Sequence, residues 1–169
     1  MIFISKGAYQ IGQVISDYYD VPLLEVFAKR KVGKLKKLIS PILKIIPTSI
    51  KRVLREKEIK SNIHEGNADR NVYFDEKIWD KYIDATNVLI VDDSVDTGNT
   101  ISQVEECVKK YFNKSKIILA TLNVFSKSES TVKINYYLLK DTMLNGPWSN
   151  DSKENKKFSL MYKKWKEEN

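Results

Sequence analysis

The stretch Val88 to Ile101 reads VLIVDDSVDTGNTI, and its reading decides the fold. Val88 to Val91 is an unbroken run of β-branched residues and leucine, the pattern of a strand buried on both faces of a parallel sheet. Acidic and hydroxyl-bearing residues follow, Gly98 and Asn99 mark a turn, and from about Thr100 to Phe112 the apolar Ile101, Val104 and Val108 recur at helical spacing. Strand, polar loop and helix in that order place Asp92 and Asp93 where a buried strand leaves its sheet, which is where open α/β folds hold ligands.

Outward from this unit the same alternation recurs. Ile2 to Ile4 is a short apolar strand, Ser5-Lys6-Gly7 a tight loop, and Ala8, Ile11, Val14, Ile15 and Tyr18 follow at helical spacing. Val21 to Val26 reads as a second strand, its Pro22 tolerated at a strand start or edge. Ile117 to Phe125 and Ile134 to Leu139 supply two more strands, and Phe158 to Lys166 a helix in a charged tail. Strands alternating with helices predict an α/β protein with an open, mainly parallel sheet and flanking helices.

Composition narrows the chemistry. A chain of 169 residues is the usual size of one domain. Cys107 is the only cysteine and His64 the only histidine, which disfavours a disulfide framework, a zinc cluster and a Ser-His-Asp triad. With neither a signal segment nor a long apolar run, a cytoplasmic protein is expected. Of the net charge of +7, Lys29 to Lys60 carries +10, from twelve Lys and Arg against Glu56 and Glu58. The basicity therefore belongs to one segment, read as short helices inserted at 29–60. One reading of that insert is a solvated helical cap; another is a surface for anionic lipid or polyphosphate, since its lysines flank a leucine and isoleucine stripe. Nucleic acid is not favoured, because Phe27 is the one aromatic in or beside the stretch.

The acidic loop asks for a particular partner. Two adjacent carboxylates repel each other and need hydroxyls or a cation, which ribose and Mg²⁺ would supply. Asp96-Thr97-Gly98-Asn99-Thr100 offers backbone amides, two hydroxyls and the positive end of a helix, a cradle suited to phosphate. A plain Asp-rich turn is the alternative, and the length of the motif decides against it.

These residues resemble the 5-phosphoribosyl-1-pyrophosphate (PRPP) signature of the type I phosphoribosyltransferase family: an apolar run, two acidic residues, two variable positions, then Asp or Ala, Thr or Ala, Gly and a hydroxyl residue. The resemblance is closest to the hypoxanthine and xanthine-guanine members. It implies that Asp92 and Asp93 hold the ribose hydroxyls and Mg²⁺, that Asp96 accepts a proton near the base, and that Thr97, Gly98, Asn99 and Thr100 bind the 5′-phosphate. Ser5-Lys6-Gly7 is similar to the family's pyrophosphate loop, often formed through a cis peptide; an ordinary loop is the alternative. Asp141-Thr142-Met143 and Pro147-Trp148 look like the family's base-binding hood, with Met143 where relatives stack an aromatic on the purine. Lys127 is placed like the lysine that reads a keto oxygen, or is a solvated loop lysine.

The resemblance implies one phosphoribosyltransferase-like domain over 1–150, with the basic helical insert at 29–60 and a charged tail at 151–169. The partners it implies are PRPP and a base acceptor, and a homo-oligomer is expected. The implied reaction is transfer of the 5-phosphoribosyl group to a 6-oxopurine-like base in nucleotide salvage. The competing classes are a PRPP- or nucleotide-binding regulator and a membrane-surface accessory protein of the same fold. The family's flexible loop is expected near Asn62 to Tyr73, with Asp69 and Arg70 shielding the reaction from water.

Overall fold

In the computed structural model the described residues are 1–30 and 70–169. The expected helices over 31–60, and Asn62 to Asp69 of the expected flexible loop, lie outside them. Strand β1 (Ile2–Ile4) leads into helix α1 (Tyr9–Tyr19) and strand β2 (Leu24–Arg30). The chain re-enters at β3 (Arg70–Tyr73), then forms a one-turn helix α2 (Glu76–Trp79), β4 (Asn87–Val95), α3 (Asn99–Tyr111), β5 (Lys116–Val124), β6 (Tyr136–Lys140) and α4 (Asn155–Glu168). The six strands form one sheet in the order β3-β2-β1-β4-β5-β6. Four ladders, β1 with β2, β1 with β4, β4 with β5 and β5 with β6, are parallel.

Alternation along the strands divides the core. Ile2, Ile4, Val26, Val88, Ile90 and Leu119 meet Ile101, Val104 and Val108 of α3 together with Phe112 and Trp79. Phe3 and Val91 join Ala8 and Tyr9 from the start of α1 and Phe158 of α4, with Tyr162, Trp165 and Trp148 packed against them. Each of these fully buried aliphatic or aromatic side chains contributes about 1.5–3 kcal/mol relative to exposure. Among the described residues no helix is long and apolar enough to cross a membrane.

Several expected boundaries shift. Strand β4 does not end at Val91 but runs to Val95, because β5 continues beside it and pairs Asp92 with Thr121, Ser94 with Asn123 and Val95 with Val124. Strand β2 starts at Leu24, past Pro22, and takes in Lys29 and Arg30, so these two residues belong to the sheet and not to a helical insert. Arg70 to Tyr73 is strand where a loop is expected. The tail set apart at 151–169 carries α4, whose Phe158 is buried in the core. Met1–Ala28 and Val72–Asn169 make one compact unit, and Lys29–Asn71, nearly all outside the described residues, makes a second.

Candidate phosphoribosyl site

The acidic pair sits on the last stretch of β4. Asp92 is only 7% exposed, and its Oδ1 accepts the Asp93 backbone N–H at 2.9 Å. Burial, and then the neighbouring charges of Asp93 and Asp96, push the Asp92 carboxyl well above the usual carboxylate range. Asp93 is half-buried and lies against the backbone of Gly7. A Cβ at position 7 would fall 2.6 Å from Asp93 Oδ1 and 2.7 Å from its Cγ. Two segments more than eighty residues apart in sequence therefore meet at van der Waals distance, and glycine is what lets them meet.

The backbone of the loop that brings Gly7 there is tied to β2 and to the start of α1. The Ser5 amide donates to the Val26 carbonyl of β2 at 2.9 Å, and the Lys6 carbonyl accepts the Tyr9 amide at 3.2 Å as α1 begins. The Ser5–Lys6 peptide bond is cis, the form that the resemblance implies for this loop. Among the described residues, no acceptor takes the Lys6 or Gly7 amides. They are donors beside a carboxylate pair.

Beyond Asp93 the chain turns through Gly98, which has φ of +82° and opens α3 with no side-chain cap on the helix. The turn is packed from behind: a Cβ at Gly98 would lie 2.8 Å from Val132 Cγ1 and 2.9 Å from Thr131 Cβ. Thr97, Asn99 and Thr100 are half-buried around it. First-turn amides of a thirteen-residue helix, a positive dipole end and two hydroxyls are thus gathered at one loop. Asp96, also half-buried, accepts a long hydrogen bond from Ser94 Oγ at 3.4 Å.

Behind the loop lies a residue that the sequence reading does not single out. Asn123 is fully buried on β5; its Nδ2 donates to Ser94 Oγ at 3.3 Å and its Oδ1 accepts the Thr142 amide at 3.1 Å. It links the acidic loop to the segment carrying Met143. Its signal was an Asn inside the apolar run Ile117 to Val124, since a buried amide is kept only where its hydrogen bonds are met. Asp141, which opens the Asp-Thr pair expected in the hood, takes a φ of +52°. It accepts Ser126 N at 2.8 Å and Ser126 Oγ at 2.6 Å, which holds its carboxyl below the usual range. These bonds pin the turn bearing Lys127 to the segment bearing Met143.

Lys127 is exposed and Met143 is 47% exposed, and the bonds between Asp141 and Ser126 bring their segments together. Trp148 packs: it lies over Gly146 and meets the Phe158 ring edge-on at 6.4 Å between centroids. Among the described residues no group of three or more metal-ligating side chains occurs. The donor set of Asp92 and Asp93 nonetheless suits Mg²⁺, which commonly takes one or two carboxylates and completes its shell with water and substrate phosphate.

No protein-family model and no curated protein sequence matches the chain. Solved structures do. A purine phosphoribosyltransferase from Pyrococcus horikoshii Ot3 superposes with a TM-score of 0.57 at 18% identity, covering 89% of this chain and 77% of that one. A xanthine-guanine-hypoxanthine phosphoribosyltransferase from Helicobacter pylori gives 0.57 at 13% identity, with 92% and 79% covered. A hypothetical protein from Neisseria gonorrhoeae with bound ppGpp gives 0.56 at 15% identity, with 96% and 79% covered. At such identities the likeness concerns architecture, and it agrees with the strand order, the parallel ladders and the helices on the sheet: the chain has the type I phosphoribosyltransferase fold.

Proposed function

We propose that this chain is a phosphoribosyltransferase that moves the 5-phosphoribosyl group of PRPP to a nitrogenous base of the 6-oxopurine class and releases pyrophosphate. The observation that carries the reading is the meeting of Gly7 with Asp93. It joins a loop with open amides to a carboxylate pair, next to a glycine turn at a helix N-terminus. A ligand with a phosphate at each end of a ribose needs those three features side by side.

Each residue then has a task. Thr97, Gly98, Asn99 and Thr100 hold the 5′-phosphate through amides and hydroxyls. Asp92 and Asp93 hold the ribose hydroxyls and would hold Mg²⁺, which when bound supplies charge neutralisation on the pyrophosphate. Hydroxyls or a cation at this pair also offset the burial and the mutual repulsion that raise the Asp92 carboxyl above the usual carboxylate range. The Lys6 and Gly7 amides receive the pyrophosphate as its bond to C1 breaks, and the positive charge growing on the ribose ring faces the carboxylates. Asp96 accepts the proton of the incoming nitrogen, and Lys127 and Met143 are the residues placed to meet the base.

A second reading has a specific observation behind it. Met143 offers sulfur where an aromatic platform would stack a purine, a weaker contact, and the Neisseria neighbour carries bound ppGpp. A nucleotide- or PRPP-binding regulator, with the basic segment 29–60 docked on an anionic membrane surface, would keep the phosphate loops without transferring. The two readings separate in one assay: incubate the chain with Mg²⁺, PRPP and hypoxanthine, guanine, xanthine or orotate in turn, and measure released pyrophosphate. Release with one base, cut at least 100-fold in Asp96→Asn, supports the transferase. PRPP binding without release under any base supports the regulator.

A further inference from the structure

The C-terminal helix α4 lies far from the acidic loop in sequence, yet its side chains reach the start of the Ser5–Gly7 loop. Ser5 Oγ and Tyr162 Oη are 2.8 Å apart, and the Tyr162 hydroxyl donates to Glu25 Oε1 of β2. Because a carboxylate only accepts, the Tyr162 proton is committed to Glu25 and the Ser5 proton to Tyr162. The relay therefore runs in one direction, from Ser5 through Tyr162 to Glu25.

Its far end is anchored. The Glu25 side chain is 10% exposed and its Oε2 pairs with Lys166 Nζ at 3.1 Å. The Lys166 ammonium lies 4.5 Å from the Phe27 ring centroid and 5.5 Å from that of Tyr162. The Tyr162 ring is held by Tyr9 at 5.3 Å and by Phe158 and Trp165 on its own helix. One turn back along α4, Phe158 lies 6.0 Å beneath Lys6 Nζ. Glu25, Tyr162 and Lys166 have no part in the proposed contacts with PRPP.

We infer that Tyr162 is a positioning residue for the pyrophosphate loop: through Ser5 it fixes the loop so that the Lys6 and Gly7 amides stay aimed past Asp93. The inference rests on the phosphoribosyl reading and assigns α4 a role in it. Ser5 is held by its amide to β2 and by its hydroxyl to α4. Loss of the Tyr162 hydroxyl frees the second tether and leaves the ring, and with it the aromatic packing, in place. The consequence falls on ligands that use the loop and spares those held by Asp92, Asp93 and Thr97 to Thr100 without it.

The test compares the unmodified chain with Tyr162→Phe, Ser5→Ala and the double variant, measuring dissociation constants for Mg²⁺-PRPP and for ribose 5-phosphate. The expected result is about a 10-fold loss for PRPP in Tyr162→Phe, the scale of one lost hydrogen bond, with ribose 5-phosphate within about 2-fold of the parent. The double variant should lose no more than Ser5→Ala, since both changes remove one tether. Equal weakening of both ligands, or additive losses in the double variant, would mean that Tyr162 serves general packing, and the inference fails. PRPP affinity unchanged in both single variants overturns it as well, leaving the phosphoribosyl reading intact. If the unmodified chain does not bind PRPP, that reading falls and takes the inference with it.

Discussion

Gly7→Ala separates function from stability. The added methyl would stand 2.6 Å from Asp93 Oδ1, 2.7 Å from Cγ and 2.9 Å from Oδ2, so the carboxylate has to retreat by about 0.8 Å to reach ordinary contact near 3.4 Å. A half-buried carboxylate on a rotatable side chain can do so at small cost, and Gly7 has no positive φ to strain. Folding should therefore change by less than about 1 kcal/mol, or about 3 °C in Tm for a chain of this size. Binding should suffer far more, because displacements near 1 Å at a reacting or binding group can cost about 100-fold. Calorimetric titration with Mg²⁺-PRPP beside a thermal melt gives both quantities. An affinity within about 2-fold of the parent would show that the contact of Gly7 with Asp93 is not part of the site, and the reasoning would be refuted.

The other perturbations differ in sign and size. Gly98→Ala meets both a left-handed φ and Val132 at 2.8 Å, so strain and overpacking together should cost about 2–5 kcal/mol and lower Tm by about 10 °C; a melt unchanged within 2 °C, about 0.5 kcal/mol, contradicts this. Asp92→Asn should abolish PRPP binding and yet stabilise the fold by about 1 kcal/mol at pH 7, because it removes a disfavoured charge and leaves an amide oxygen to accept the Asp93 N–H. The gain has a pH signature: burial raises the folded Asp92 above its ordinary value of 3.8, so its carboxyl favours the folded state most at low pH and less as pH rises. The advantage of Asn over Asp should then disappear below about pH 3.8 and grow above it, and a gain constant from pH 3 to 7 would contradict the charge argument. Asp141→Ala should free the Lys127 and Met143 segments from each other by removing two hydrogen bonds at an exposed turn, weakening base affinity with PRPP affinity unchanged. Equal loss of both affinities would contradict a role confined to the base end.

What could be read from sequence was local. The run Val88 to Val91 and the turn at Gly98 are set by β propensity and backbone freedom within a few residues, and both stand in the structure. The length of β4 was not legible, since only its partner β5 decides that Asp92 to Val95 stay in the ladder. The same holds for β2, where Lys29 and Arg30 look like the start of a basic helix but are strand because the sheet continues beside them. At the C-terminus a helix was legible over Phe158 to Lys166 but its docking was hidden by charge. The signal is the spacing of Phe158, Tyr162 and Trp165, three aromatics on one helical face amid seven Lys and Glu. Asn123 and Asp141 act through partners 19 and 15 residues away, and no local pattern announces such pairs.

The central claim is that the two loops and the acidic pair together bind one phosphorylated ribose. Calorimetry of Mg²⁺-PRPP on the unmodified chain and on the Asp92→Asn, Asp93→Asn double variant tests it most directly. The account predicts saturable one-to-one binding that the double variant loses by at least 100-fold. No binding by the unmodified chain, or equal affinity in the double variant, would contradict it.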